Sequence, residues 1–101
     1  MAPTGVEMRG IQELAGHFRP NLDISMYPTQ RETYEFFTGS FRDRPSPRWC
    51  TVTTHNQLQL ERYTYWITYY RSPADKVDEG PGDSSHDAYQ RITRWILQGL
   101  R

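Results

Sequence analysis

The chain has one cysteine, one lysine and no net charge, and each shortage excludes something. A lone cysteine, Cys50, cannot close an internal disulfide, so packing alone must hold the fold. It stands inside a strand pattern, where a small buried hydrophobe is the expected reading. Twelve basic residues against twelve acidic ones give no general attraction to phosphate backbones or anionic membranes. No apolar run approaches the roughly 18 residues of a membrane helix. The opening MAPTGVEMRG has neither the basic nor the apolar region of a secretory signal. A cytoplasmic or nuclear location is the expectation, in a host cell should the source be a virus or phage.

Motifs of chemistry are missing too. No CxxC, HxxxH or HExxH spacing is present, so no metal site is expected. Asp75, Asp78, Glu79 and Asp83 lack the alternating order and glycine of a calcium loop. Neither GxGxxG nor GxxxxGK[ST] occurs, so no nucleotide cofactor is expected. Cys50 with a histidine would make a thiol nucleophile and base. Yet Cys50 is expected inward, and His17, His55 and His86 fall in three separate elements. No enzyme is expected.

What is abundant is aromatic and guanidinium surface. The 101 residues, read as one domain, include seven tyrosines, four phenylalanines, three tryptophans and eleven arginines. Aliphatic residues are few, so the rings must carry burial. Arginine forks contact carboxylates bidentately and stack on rings, which suits interfaces, although codon bias also enriches arginine.

Arg48 to Arg71, RWCTVTTHNQLQLERYTYWITYYR, reads as one long β-hairpin with His55-Asn56-Gln57 as its loop. Alternation puts Cys50, Val52 and Thr54 on one side and Trp49, Thr51 and Thr53 on the other. Thr54 then faces Leu58, and Val52 faces Leu60. The apolar phase changes between Leu60 and Tyr63, and a β-bulge near Glu61-Arg62 repairs it. That register sets Cys50 opposite Tyr63 and gathers Leu60, Tyr63, Tyr65, Ile67 and Tyr69 on the core face. The outer face is Trp49, Thr51, Thr53, Gln59, Thr64, Trp66, Thr68 and Tyr70.

Around the hairpin, Thr4 to Phe18 reads as a helix with a Thr4/Glu7 capping box and Met8, Ile11, Ala15 and Phe18 on one face. Pro20 ends it. Leu22, Ile24 and Met26 alternate with polar residues as a short strand. Thr29 to Thr38 reads as a helix, since Thr29/Glu32 is a second capping box and Gly39 a C-terminal cap. The competing reading makes Tyr34 to Phe41 a strand. Gly39 to Pro47 and the acidic Ser72 to Ser84 read as loops. Ser84 to Leu100 is the last helix, capped by Ser84 and Asp87, with Ala88, Ile92, Trp95, Ile96, Gly99 and Leu100 as its apolar face. The fold class is α+β: a long twisted antiparallel hairpin, with an optional third short strand, packed by N-terminal, middle and C-terminal helices in the order α-(β)-α-β-β-α.

Two functions compete. The first is a small non-enzymatic protein-binding or regulatory module using an aromatic and arginine-rich sheet face: Trp49, Arg62, Trp66, Tyr70 and Arg71. Interfaces are enriched in these residue types. A protein partner is expected, and a homodimer is one form of it, since a two-fold interface uses one patch twice. Alternatively, Trp49 and Trp66 lie beneath a helix. Small size without chemistry is common among viral and phage accessory proteins that act on a host factor, an association only. The second function is RNA or single-stranded nucleic-acid binding, with sheet aromatics stacking bases and Arg91, Arg94 and Arg101 on the last helix meeting phosphates. Residues 72–87 hold five acids and one base, which leaves eleven basic and seven acidic residues elsewhere. With Tyr34 to Phe41 as a strand, the order would match a double-stranded-RNA-binding domain in outline. The basic start of that domain's last helix is replaced by the acidic DSSHDAYQR, and no family is assigned.

Overall fold

The computed structural model describes the backbone of residues 5–18, 22–28, 34–41, 44–57, 62–72 and 74–100, and the side chains of these except 5–8, 22–28, 34–41, 55–57 and 62–63. The elements run α1 (Gly5–Phe18), β1 (Leu22–Pro28), β2 (Tyr34–Phe41), β3 (Arg44–Pro45), β4 (Trp49–Gln57), β5 (Arg62–Ser72), β6 (Asp75–Gly82) and α2 (Ser85–Gln98). This is the α+β class. The strands form one antiparallel sheet ordered β1-β2-β4-β5-β6, with the two-residue β3 also paired to β2. Each long strand therefore lies beside its neighbour in sequence, as in a meander.

The two faces of the central hairpin come out as expected, and its register does not. Val52 pairs with Ile67, Cys50 with Tyr69, and the ladder runs without interruption to Gln57 opposite Arg62. His55, Asn56 and Gln57 thus extend the strand instead of forming the loop. Among the described residues no bulge offsets the β4–β5 pair, and the partner of Cys50, Tyr69, lies six positions from the expected Tyr63. Residues 58–61, with Leu58, Leu60 and the first half of the expected Glu61-Arg62 bulge, lie outside the described residues. Tyr65 is buried on the Val52 side as expected; the Tyr63 side chain lies outside the described residues.

The middle helix is replaced by β2. In β2, Glu35–Phe41 pair with β1 and Tyr34–Phe37 pair with β4. Tyr, Phe and Thr are strand formers, and a short helix gains little from caps alone against two ladders of backbone hydrogen bonds. Gly39 is a strand residue opposite Ile24. Residues 29–33, with the Thr29/Glu32 pair, lie outside the described residues. The acidic 72–84 loop is also corrected: Asp75–Gly82 is an edge strand. Its charges, Pro81 and two glycines would weaken a central strand, but an edge tolerates them and they discourage further pairing.

Both helices cover one face. Ile11, Leu14 and Phe18 of α1 and Ala88, Ile92 and Ile96 of α2 pack on Cys50, Val52, Tyr65 and Ile67 in one buried cluster. Leu14 joins this core where Ala15 was expected; Ala15 is only half-buried. The Tyr65 hydroxyl donates to the Gly10 carbonyl at 2.9 Å, so the largest buried ring also satisfies its polar end. At the start of α2, Ser84 Oγ accepts from the Asp87 amide at 3.1 Å, half of the expected capping box. Asp87 returns its bond one residue earlier, to the Asp83 amide at 3.1 Å.

The end of α2 rests on the kink between β3 and β4. Ser46 Oγ donates to the Ile96 carbonyl at 2.9 Å, beside the Gly99 amide that donates to the same oxygen at 3.0 Å. A Cβ on Gly99 would stand 2.7 Å from both Ser46 Oγ and Arg48 Cγ. Gly99→Ala should therefore cost about 1–3 kcal/mol in urea unfolding, because the kink must shift. Gly16, on exposed helix with nothing within 4 Å of its Cβ position, is the control. Gly16→Ala should gain about 0.5–1 kcal/mol. Equal effects at the two sites would show that the kink does not bear on α2.

Candidate functional site

The face of the sheet turned away from the helices carries the first set of expected residues. Three cross-strand pairs cross it: Trp49–Tyr70, Thr51–Thr68 and Thr53–Trp66. Neither described helix covers them. At one end the Trp49 and Tyr70 rings stack with centroids 4.3 Å apart and planes 8° from parallel. At the other end Trp66 is 40% exposed, high for a tryptophan. Thr51, Thr53 and Thr68 are buried between these rings as a floor of small hydroxyl side chains. Thr53 is the odd member: its Oγ1 is buried and has no hydrogen-bond partner.

Among the described residues, the charges beside the face are at its rim and are paired locally. Arg71 Nε meets Asp75 Oδ2 at 3.1 Å, and Lys76 Nζ meets Glu79 Oε2 at 3.2 Å. Arg71 follows Tyr70 in β5, exposed, with its charge matched by Asp75. Arg62 opens β5 opposite Gln57; its side chain lies outside the described residues. Arg48 belongs to the other side of the molecule. Its guanidinium lies 4.3 Å above the Trp95 ring and donates to Gln98 Oε1 at 2.9 Å. Trp95 Nε1 in turn donates to the Trp49 and Tyr70 carbonyls at 3.3 and 3.2 Å, tying α2 to the backbone beneath the stacked rings. Neither Arg48 nor Trp95 was singled out for this by the sequence, since the contact needs the 46–48 kink.

The second expected set does not join the first. Arg91 and Arg94 project from α2 in the helical layer, with the sheet between them and Trp66. Arg91 Nε is held by Asp87 Oδ2 at 3.0 Å. Arg101 lies outside the described residues. The structure therefore brings Trp49, Trp66 and Tyr70 to one face and separates them from the arginine stripe.

Two constellations bear on chemistry. Cys50 is fully buried, and burial pushes its thiol far up, so no thiolate is available at neutral pH. Between the helices, His17 Nε2 and Ser85 Oγ are 2.9 Å apart, and Ser85 Oγ donates to Glu13 Oε1 at 2.9 Å. The single hydroxyl proton goes to Glu13, so His17 Nε2–H donates to the serine. In a nucleophilic triad the carboxylate orients the imidazole; here it accepts the hydrogen bond of the serine hydroxyl, so the chain of bonds fastens α1 to α2. His86 lies 5.7 Å from His17, centroid to centroid, but no group of three metal-ligating side chains forms among the described residues. The His55 side chain lies outside the described residues, and no described helix is long and apolar enough to cross a membrane.

No protein-family description, curated protein or solved structure matches the chain.

Two consequences can be measured. The bond from the Asp83 amide, followed by the one from Arg91, holds the Asp87 carboxyl below its ordinary 3.8. A depressed folded value contributes stability that is complete above 3.8 and is lost as pH falls below it. Asp87→Asn should therefore lower stability at pH 7 and flatten its decline as pH falls below 3.8, read by urea titration at each pH. An unchanged acid limb would show that Asp87 does not couple to folding. Thr53→Val removes a buried hydroxyl that has no partner while keeping its shape. It should raise stability by up to about 1 kcal/mol in thermal unfolding. A loss instead would mean that the hydroxyl is bonded in solution.

Proposed function

We propose that the protein is a binding module without catalytic chemistry, and that it docks protein on the outer face of its sheet. The observation that carries this reading is the Trp49–Tyr70, Thr51–Thr68, Thr53–Trp66 surface, which neither described helix covers and on which Trp66 is 40% exposed above buried threonines. Its composition matches an interface core, where aromatics gather and charge is excluded. The rim charges are paired within the chain, so the face makes no demand for a partner of opposite sign.

The partner we assign to it is a second copy of the chain. Two such faces meet without repulsion, because neither centre carries charge and the chain is neutral overall. Five strands about 4.8 Å apart, each with about seven residues at about 3.4 Å, span about 550 Å². Face to face, two copies bury about 1,100 Å², at the lower bound for a specific interface. Trp66 is the expected anchor, since tryptophan dominates interface energetics when desolvated.

The nucleic-acid alternative has less support. The Trp49 and Tyr70 rings already stack on each other, and Arg91 and Arg94 lie behind the sheet. A single strand would have to wrap the domain to use both.

Sedimentation of the purified chain across micromolar concentrations tests the assignment. A dimer is expected, with Trp66→Ala weakening it by about 30-fold or more, for a loss of about 2 kcal/mol or more. Arg91→Ala should leave it unchanged. A monomer throughout would overturn self-pairing and leave the face to a different protein. A monomer that takes up mixed-sequence RNA and releases it as salt rises would replace the reading by the nucleic-acid one.

A further inference from the structure

The helical layer, on the far side of the sheet from the docking face, holds a cleft of about 260 Å³ between β6 and α2. Its cause is local. Gly80 and Gly82 pair with the core residues Ile67 and Tyr65, so side chains at both positions would point toward the helices. At Gly82 the helix is close: a Cβ there would lie 3.0 Å from the Cβ of Ala88. At Gly80 it would meet nothing within 4 Å. β6 therefore touches α2 at one end and diverges from it at the other, and a glycine leaves the gap open.

The two walls of the gap differ in charge. On α2, Arg94 makes no ion pair or hydrogen bond with any described residue. Arg91 is held through Nε, which leaves its two terminal nitrogens as donors. On β6, Asp78 spends one oxygen on the Glu79 amide at 2.8 Å. No Arg–Asp78 bridge spans the gap: the ion pairs among described residues are Arg71–Asp75, Lys76–Glu79 and Arg91–Asp87. Between the charged walls lie the half-buried rings of Tyr69 and Trp95, edge to face at 5.7 Å. Burial, foremost, raises the Tyr69 phenol to about 12, so it keeps its proton as a donor at neutral pH.

A cation wall and an anion wall held apart over an aromatic floor match a small zwitterion with an apolar group. The volume is below the roughly 300–1,000 Å³ of pockets for drug-sized ligands, which points to something the size of one amino acid. A phosphate dianion would meet the Asp78 carboxylate. We propose that this cleft binds an apolar α-amino acid, its carboxylate on Arg91 and Arg94, its ammonium on Asp78, and its side chain over Gly80 against Tyr69 and Trp95. Glu79 borders both the cleft and the rim of the outer face, but none of the residues assigned to the amino acid lies among Trp49, Thr51, Thr53, Trp66, Thr68 and Tyr70, so the site stands or falls independently of docking there.

The test is an amide and indole NMR titration of the full chain with L-leucine, L-methionine and L-phenylalanine, with N-acetyl-L-phenylalanine and phenethylamine as controls. Saturable shifts at the Gly80 amide and the Trp95 indole are expected at about millimolar concentrations for at least one amino acid, and at least tenfold weaker binding for both controls. Arg94→Ala should weaken binding about tenfold or more, the cost of one charge-assisted contact. Gly80→Val should abolish it in a folded protein, because its side chain enters open space. Three outcomes overturn the proposal: no saturable shift with any of the three amino acids, binding that survives Gly80→Val, or equal binding of N-acetyl-L-phenylalanine.

Discussion

Nine consecutive residue pairs join β4 to β5, from Trp49 opposite Tyr70 to Gln57 opposite Arg62, and the rest of the molecule is placed by that ladder. Strand geometry sends alternate side chains to opposite faces, and antiparallel pairing keeps partners on the same face. Cys50, Val52, Tyr65 and Ile67 thereby become one apolar surface. The helices have a single surface to bury against, and both take it. A slip of one residue would exchange the floor of threonines for the core and leave Ile11, Phe18, Ile92 and Ile96 without partners. The register is fixed by burial on one side, which frees the other side to carry rings that the core does not need.

This explains which features were legible in the sequence. The division of Trp49 to Tyr70 into a core face and an outer face follows from a period of two, and it holds for the described residues. The register needed the position of the turn, and there local signals pointed the wrong way. His55-Asn56-Gln57 has the composition of a loop, yet each residue gains ladder bonds by extending β4. For Tyr34 to Phe41, a capping pair before it and a glycine near its end imitate a helix. Pairing with both β1 and β4 outweighs them, and no local window records that gain. DKVDEGPG reads as loop for the same reason. Composition measures what a segment can bury, whereas an edge strand needs only one partner for its backbone. The final helix was legible because its signals are local: Ser84 caps Asp87, and Ala88, Ile92 and Ile96 recur at helical spacing.

The candidate sites divide in the same way. Trp49, Trp66 and Tyr70 could be grouped on one face from alternation alone. Arg91 and Arg94 could be placed on one helix but not on a side of the sheet, because that depends on which face α2 covers. The cleft was invisible: Tyr69, Asp78 and Gly80 meet α2 only if β6 exists, and β6 was read as loop. Arg48 illustrates the point at one residue. It precedes Trp49 in sequence, but the 46–48 kink turns it onto Trp95 and the end of α2, a contact that no local pattern records.

Covering one face of a sheet with two helices has an electrostatic result as well. The ionised groups of α2 and β6 collect on the covered side and at the edge, where Arg91 meets Asp87 and Lys76 meets Glu79. The outer face is left with hydroxyls and rings over its middle. An uncharged, partly apolar surface in a neutral chain has weak orientation at long range and no repulsion from its own kind. Solubility then depends on keeping the face small and its edges unattractive. β6 does the second through its charges, Pro81 and the register shifts at Tyr70, which break the edge as a template for another strand. The glycines that make β6 a poor central strand also leave room behind it, since no side chain at Gly80 fills the gap to α2.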